Sequence, residues 1–121
     1  MKISILLPYK ENYSPTYPGA VSLFVNSTSK ESRYKDEITI FGSTDYSKKL
    51  SKNYRNIDLP KKFLSSQSKK YVQKFLEIQK IVKPDIIEVH NRPIYINDLI
   101  DLKSKIVLYF HNDPISMMGS K

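Results

Sequence analysis

Short apolar runs alternate with amphipathic stretches along the chain. Lys2-Ile3-Ser4-Ile5-Leu6-Leu7 reads as a buried strand stopped by Pro8, and Tyr9 to Pro18 as a loop broken by Pro15 and Pro18. From Gly19 to about Ser32, Ala20, Val21, Leu23, Phe24 and Val25 recur at helical spacing, although Ser22, Ser27, Thr28 and Ser29 dilute the pattern. Glu37 to Phe41 predicts a second strand, ended by Gly42. Residues 43–60 are polar and irregular, with a short strand suggested at Asn56-Ile57-Asp58-Leu59. The clearest helix spans Ser68 to Val82: Val72, Phe75, Leu76 and Val82 share a face flanked by Ile78 and Ile81, Lys69, Lys70, Lys74 and Lys80 reach solvent, and Pro84 stops it. A third strand (about Asp85 to Val89), a short helix (about Tyr95 to Leu102) and a fourth strand (about Lys105 to Phe110) follow. Asp113-Pro114 then reads as a further helix start, with a cap residue and proline at the first turn. This alternation predicts an α/β fold: a parallel sheet with right-handed crossovers and helices on both faces.

Composition narrows the picture. The 121 residues make one domain, and the hydrophobic content of 40% is ordinary. No apolar run approaches the ~20 residues of a membrane-spanning helix. The apolar start, Ile3 to Leu7, is followed by Pro8-Tyr9-Lys10-Glu11 without a small-residue cleavage site, so it reads as the first strand of a cytoplasmic protein rather than a signal peptide. The absence of cysteine excludes disulfides and thiolate metal sites. The net charge of +8 is uneven: residues 30–83 hold 14 Lys/Arg against 6 Asp/Glu, while the rest of the chain is balanced. A basic middle segment attracts anionic lipid headgroups, phosphorylated ligands or nucleic acid; a merely solvated lysine-rich surface is the plainer alternative.

The candidate chemistry lies at two near-copies, Val89-His90-Asn91-Arg92-Pro93-Ile94 and Phe110-His111-Asn112-Asp113-Pro114-Ile115, which contain the only two histidines. Each follows a predicted strand, and in an open parallel sheet ligands collect at the carboxyl ends of strands. Histidine there serves as general base or hydrogen-bond donor; the plainer role is to cap a loop. A metal triad with Asp113 does not fit known ligand spacings, so no metal is expected. Gly19 and Ala20 open a helix after a loop, where free N–H groups favour a phosphate. With three glycines in the chain, neither the dinucleotide fingerprint nor the phosphate loop ending in Gly-Lys-Ser/Thr can be built. A serine-hydrolase elbow is absent, and Pro8-Tyr9-Lys10 stands where a phospho-acceptor receiver domain needs acids. Lys/Tyr interleaving at Lys52 to Arg55 and Lys69 to Tyr71 is too common in this composition to indicate nucleic acid. Glu88, inside the third strand, is a secondary candidate.

Four ordered features resemble the N-terminal domain of the family 4 glycosyltransferases, which have the two-domain GT-B architecture. They are Tyr17-Pro18-Gly19-Ala20-Val21 leading into a helix, the strand entry Lys83-Pro84-Asp85-Ile86-Ile87, the run Glu88-Val89-His90-Asn91-Arg92-Pro93, and Leu108-Tyr109-Phe110-His111-Asn112-Asp113-Pro114. Together they cover essentially the whole chain. The resemblance implies a Rossmann-like, acceptor-side half-domain of a retaining enzyme that transfers sugar from a nucleotide-sugar donor to a glycan or lipid-linked acceptor, with no resident cofactor. It implies that His111 lies at the transferred sugar as the catalytic candidate. Gly19 and Ala20 would lie near the donor phosphates, and His90, Asn91 and Asn112 would bind substrate. Many members have two adjacent glycines where this chain has Pro18-Gly19. The family's second, donor-binding domain is not among these residues, so the chain alone is expected to be inactive or nearly so. The basic segment would rest on an anionic membrane surface at its cytoplasmic face. A stand-alone module of the same fold that binds a phosphorylated ligand without catalysis is the alternative, and a nucleic-acid or assembly adaptor a third.

Overall fold

The computed structural model describes residues 1–59 and 67–111. Five strands form one sheet: β1 (Ile3–Leu6), β2 (Ile38–Gly42), β3 (Tyr54–Asn56), β4 (Ile86–His90) and β5 (Lys105–Tyr109). Their order is β3-β2-β1-β4-β5, and every pairing is parallel. Among the described residues three α-helices accompany them: α1 (Ala20–Glu31), α2 (Gln67–Val82) and the short α3 (Ile96–Leu99), which a one-turn 3-10 helix over Pro93–Tyr95 precedes. This is a Rossmann-like α/β fold. β1 pairs with β2 on one side and β4 on the other, so the strand order reverses at β1. In open sheets of this kind ligands gather outside the carboxyl ends of the strands at that reversal, here β1 and β4.

The hydrophobic residues of the sheet divide by alternation. Leu6, Phe41, Ile87 and Val89 face α2 and α3, where they meet Val72, Phe75, Tyr95 and Leu99. Ile3, Ile5, Leu7, Ile38 and Ile40 face α1, where they meet Val21, Val25 and Tyr13. The period of two along each strand makes two cores from one sheet.

The helices differ from their predicted faces in an informative way. On α1 the buried residues are Val21, Ser22, Val25 and Ser29, whereas Leu23 and Phe24 are 47% and 41% exposed. Serine is small enough to let the helix approach the sheet, so two of the residues that weakened the apolar pattern form its inner face. On α2 the inward residues are Tyr71, Val72, Phe75 and Gln79, and Ile81 is exposed. Tyr71 takes an inward position because its hydroxyl donates to the Leu7 carbonyl at 2.6 Å, and Gln79 because its Oε1 accepts from Ser4 Oγ at 2.6 Å. Burial pushes the Tyr71 phenol well above its ordinary pKa.

Two further corrections concern the middle of the chain. The short strand is Tyr54–Asn56, earlier than the suggested Asn56 to Leu59, because Tyr54, Arg55 and Asn56 pair with Ile40, Phe41 and Gly42. The connection from β2 to β3 is long enough for a parallel crossover but contains no helix. The helix expected from Tyr95 to Leu102 is one 3-10 turn followed by Ile96–Leu99. Asn112 and the helix start at Asp113-Pro114 lie outside the described residues. No helix among the described residues is long and apolar enough to cross a membrane.

Candidate functional site

β4 and β5 end side by side, and their register places His90 opposite Tyr109. The rings stack, with centroids 4.9 Å apart and planes 4° from parallel. His111 follows two residues after Tyr109 and returns to the same cluster. Its Nε2 lies 2.8 Å from His90 Nδ1. The other nitrogen of His90, Nε2, lies 3.3 Å from Glu88 Oε1. Glu88 and His90 are two residues apart in a strand, so they project from the same face. His90 is 1% exposed and has both ring nitrogens engaged, leaving neither for a ligand. His111 is half-buried and stands at the mouth of the cluster.

Asn91 holds the two strand ends together. Its backbone is left-handed, with φ 61°, a conformation that asparagine tolerates better than most residues. Its N–H donates to the Tyr109 carbonyl at 2.8 Å, and its Oδ1 accepts the His111 N–H at 2.7 Å. The side chain that was expected to meet substrate therefore fixes the position of His111 through its oxygen.

α1 forms the opposite wall. Phe24 meets His111 edge-on at 4.8 Å and lies 6.1 Å from Tyr109. Its exposure is explained by this position: it projects beyond the apolar core and over the histidines. At the start of α1, Gly19 donates its N–H to the Asn12 carbonyl at 3.0 Å. The Glu11 carboxylate accepts the Ser22 N–H at 2.9 Å, so an internal anion takes one of the helix's unpaired first-turn donors. A Cβ on Gly19 would stand 1.8 Å from Glu11 Oε2, so only glycine there leaves room for the carboxylate. The position read as a phosphate site at Gly19 and Ala20 is thus already beside a carboxylate.

Electrostatics tie these parts together. Burial pushes the His111 imidazole below its ordinary pKa, neighbouring His90 acts in the same direction, and Glu11 opposes both. The cluster thus favours a neutral His111. Among the described residues no group of three or more histidines and carboxylates could hold a metal ion.

The structure brings His90, Asn91 and His111 into one hydrogen-bonded unit, with α1 and its glycine on the facing side. Sequence reasoning missed Glu11, Phe24 and Tyr109. Tyr109 was within reach, since it stands two residues before His111 at the end of β5. Glu11 and Phe24 join the site only through packing of the β1–α1 loop and α1 over β4 and β5. A separate cleft of about 390 Å³ lies between α2 and α3, lined in part by Val72, Tyr95 and Asp98. It shares none of the histidine cluster.

Fold and site together define a Rossmann-like α/β domain with a paired-histidine cluster at the carboxyl ends of β4 and β5, next to the strand-order reversal. No family model, curated protein or solved structure matches the chain.

Proposed function

We propose that this chain is the acceptor-side half of a GT-B glycosyltransferase that moves sugar from a nucleotide-sugar donor to a glycan or lipid-linked acceptor. The observation that carries this reading is the pairing of His90 and His111 at the carboxyl ends of β4 and β5, beside the strand-order reversal. Such a placement suits the handling of a substrate hydroxyl, and the ordered sequence features resemble one family. His111, neutral and at the mouth of the cluster, is the group that meets the reacting sugar. Asn91 acts through it as a positioning residue.

Phosphate binding at Gly19 and Ala20 by a stand-alone module has weaker support, because an anion there competes with the Glu11 carboxylate. Donor phosphates would instead be held mainly by residues outside this chain. The basic middle segment offers a surface for anionic lipid headgroups.

The test is sugar transfer by the intact gene product that carries these residues, assayed as nucleoside diphosphate release from a panel of nucleotide-sugars. His111→Ala lowers kcat by about 100-fold or more, the usual contribution of a general acid–base group, while the folded far-UV spectrum is retained. Unchanged kcat in that variant, or no release with any donor, contradicts the reading.

A further inference from the structure

The hydrogen-bond roles in the histidine cluster are set from one end. A carboxylate only accepts, so Glu88 Oε1 requires a proton on His90 Nε2. A neutral imidazole protonated at Nε2 has an accepting Nδ1. His111 Nε2, 2.8 Å from that nitrogen, must then donate. Neutral His111 is left with an unprotonated Nδ1. The carboxylate at the inner end therefore determines which nitrogen is basic at the outer end.

We propose that Glu88, His90 and His111 form a proton relay whose entry point is Nδ1 of His111. This rests on the reading that a substrate hydroxyl is deprotonated here. The O–H bond breaks as an Nδ1–H bond forms on His111. The Nε2–H bond of His111 breaks as an Nδ1–H bond forms on His90. His111 ends neutral, and the positive charge resides on His90 against the Glu88 carboxylate. Return of a proton along the same path restores the starting state. No oxidant, reductant or further co-reactant is required.

The surroundings suit this division. His90 is enclosed by Glu88 on its own strand, by the Tyr109 ring from β5 and by Phe24 from α1. Among the described residues, the cluster's other charged neighbours include Glu11, from the loop before α1, and Arg92, whose Nη1 donates to the Asn91 carbonyl at 3.4 Å. Burial makes a charge on His111 unfavourable. A charge on His90 faces a carboxylate directly. Glu88 is thus a positioning residue, acting on substrate only through the two imidazoles.

Side-chain nitrogen NMR on the 121-residue chain tests this without substrate. The wild type should show both rings protonated at Nε2 when neutral, and a nitrogen–nitrogen coupling across the His90–His111 hydrogen bond. Glu88→Gln keeps an acceptor but removes the charge. Its amide can also donate, so the fixed tautomers should give way to a mixture on both rings. Glu88→Leu, compatible with a strand, removes the acceptor and should give mixed tautomers on both rings. A purely structural Glu88 would leave the His111 signals unmoved in both variants, and that result overturns the relay. Detection of neutral wild-type His90 protonated at Nδ1 overturns it as well. Loss of the relay with sugar transfer intact would leave the glycosyltransferase reading standing. A confirmed relay with no transfer would remove that reading alone.

Discussion

The two faces of the sheet use the same strands for different purposes. The α2/α3 face is a closed apolar core: Leu6, Phe41, Phe75, Ile87, Val89 and Leu99 are each at most 1% exposed. Tyr71 bonds the Leu7 carbonyl and Ser4 bonds Gln79 Oε1 on this face, while the Gln79 Nε2 has no partner. The α1 face is apolar near β1 and β2 but polar and titratable toward the ends of β4 and β5. Ser22 and Ser29 turn inward, and Glu88, His90 and His111 line up below Phe24. The Oγ atoms of both serines have no hydrogen-bond partner. Both faces therefore carry orphaned polar atoms, and what sets the α1 face apart is the buried His90 with its titratable neighbours. Such departures concentrate at functional sites.

The largest expected effect breaks the comparison on the stable side. Phe75 is fully buried and packs edge-on against Phe41 at 5.3 Å. Phe75→Ala should cost about 3–5 kcal/mol, measured by urea or thermal unfolding. If it costs under about 1 kcal/mol, the α2 face is not the principal core.

A smaller effect belongs to the α1 face and depends on pH. Because the folded state depresses the His111 pKa, it binds fewer protons there than the unfolded chain, whose histidine titrates near pH ~6.5. Stability from this source is complete above about pH 6.5 and is lost as pH falls through the depressed value. His111→Asn should flatten that part of the unfolding-versus-pH curve. Gly19→Ala sharpens the same test. The new methyl displaces the Glu11 carboxylate, which lifts the His111 pKa, so the His111 midpoint should fall further. A rise in the midpoint would contradict the assigned position of Glu11.

The fold was largely legible because its strands are short β-branched runs and α2 has a sustained apolar period. Prolines at 8 and 84 and glycine at 42 marked element ends within a residue or two. The inner face of α1 was not legible, because Ser22 and Ser29 read as polar and their burial depends on close helix–sheet approach. β3 was displaced because its pairing to β2 decides its limits more than its own sequence does. At the site, two histidines after apolar runs sufficed to place both at neighbouring strand ends. Their mutual bond, and the engagement of both His90 nitrogens, required the lateral pairing of β4 with β5. Glu88 shares the alternation of His90 and was accessible to the same reasoning. Glu11 was not, since a loop carboxylate reaching a helix start is a tertiary event.

The central claim is that substrates meet the α1 face and not the cleft between α2 and α3. Amide chemical-shift mapping of the chain against nucleotide-sugars and free oligosaccharides tests it directly. The account predicts perturbations at Phe24, Asn91, Tyr109 and His111. Perturbations confined to Val72, Tyr95 and Asp98 would contradict it, as would the absence of any response.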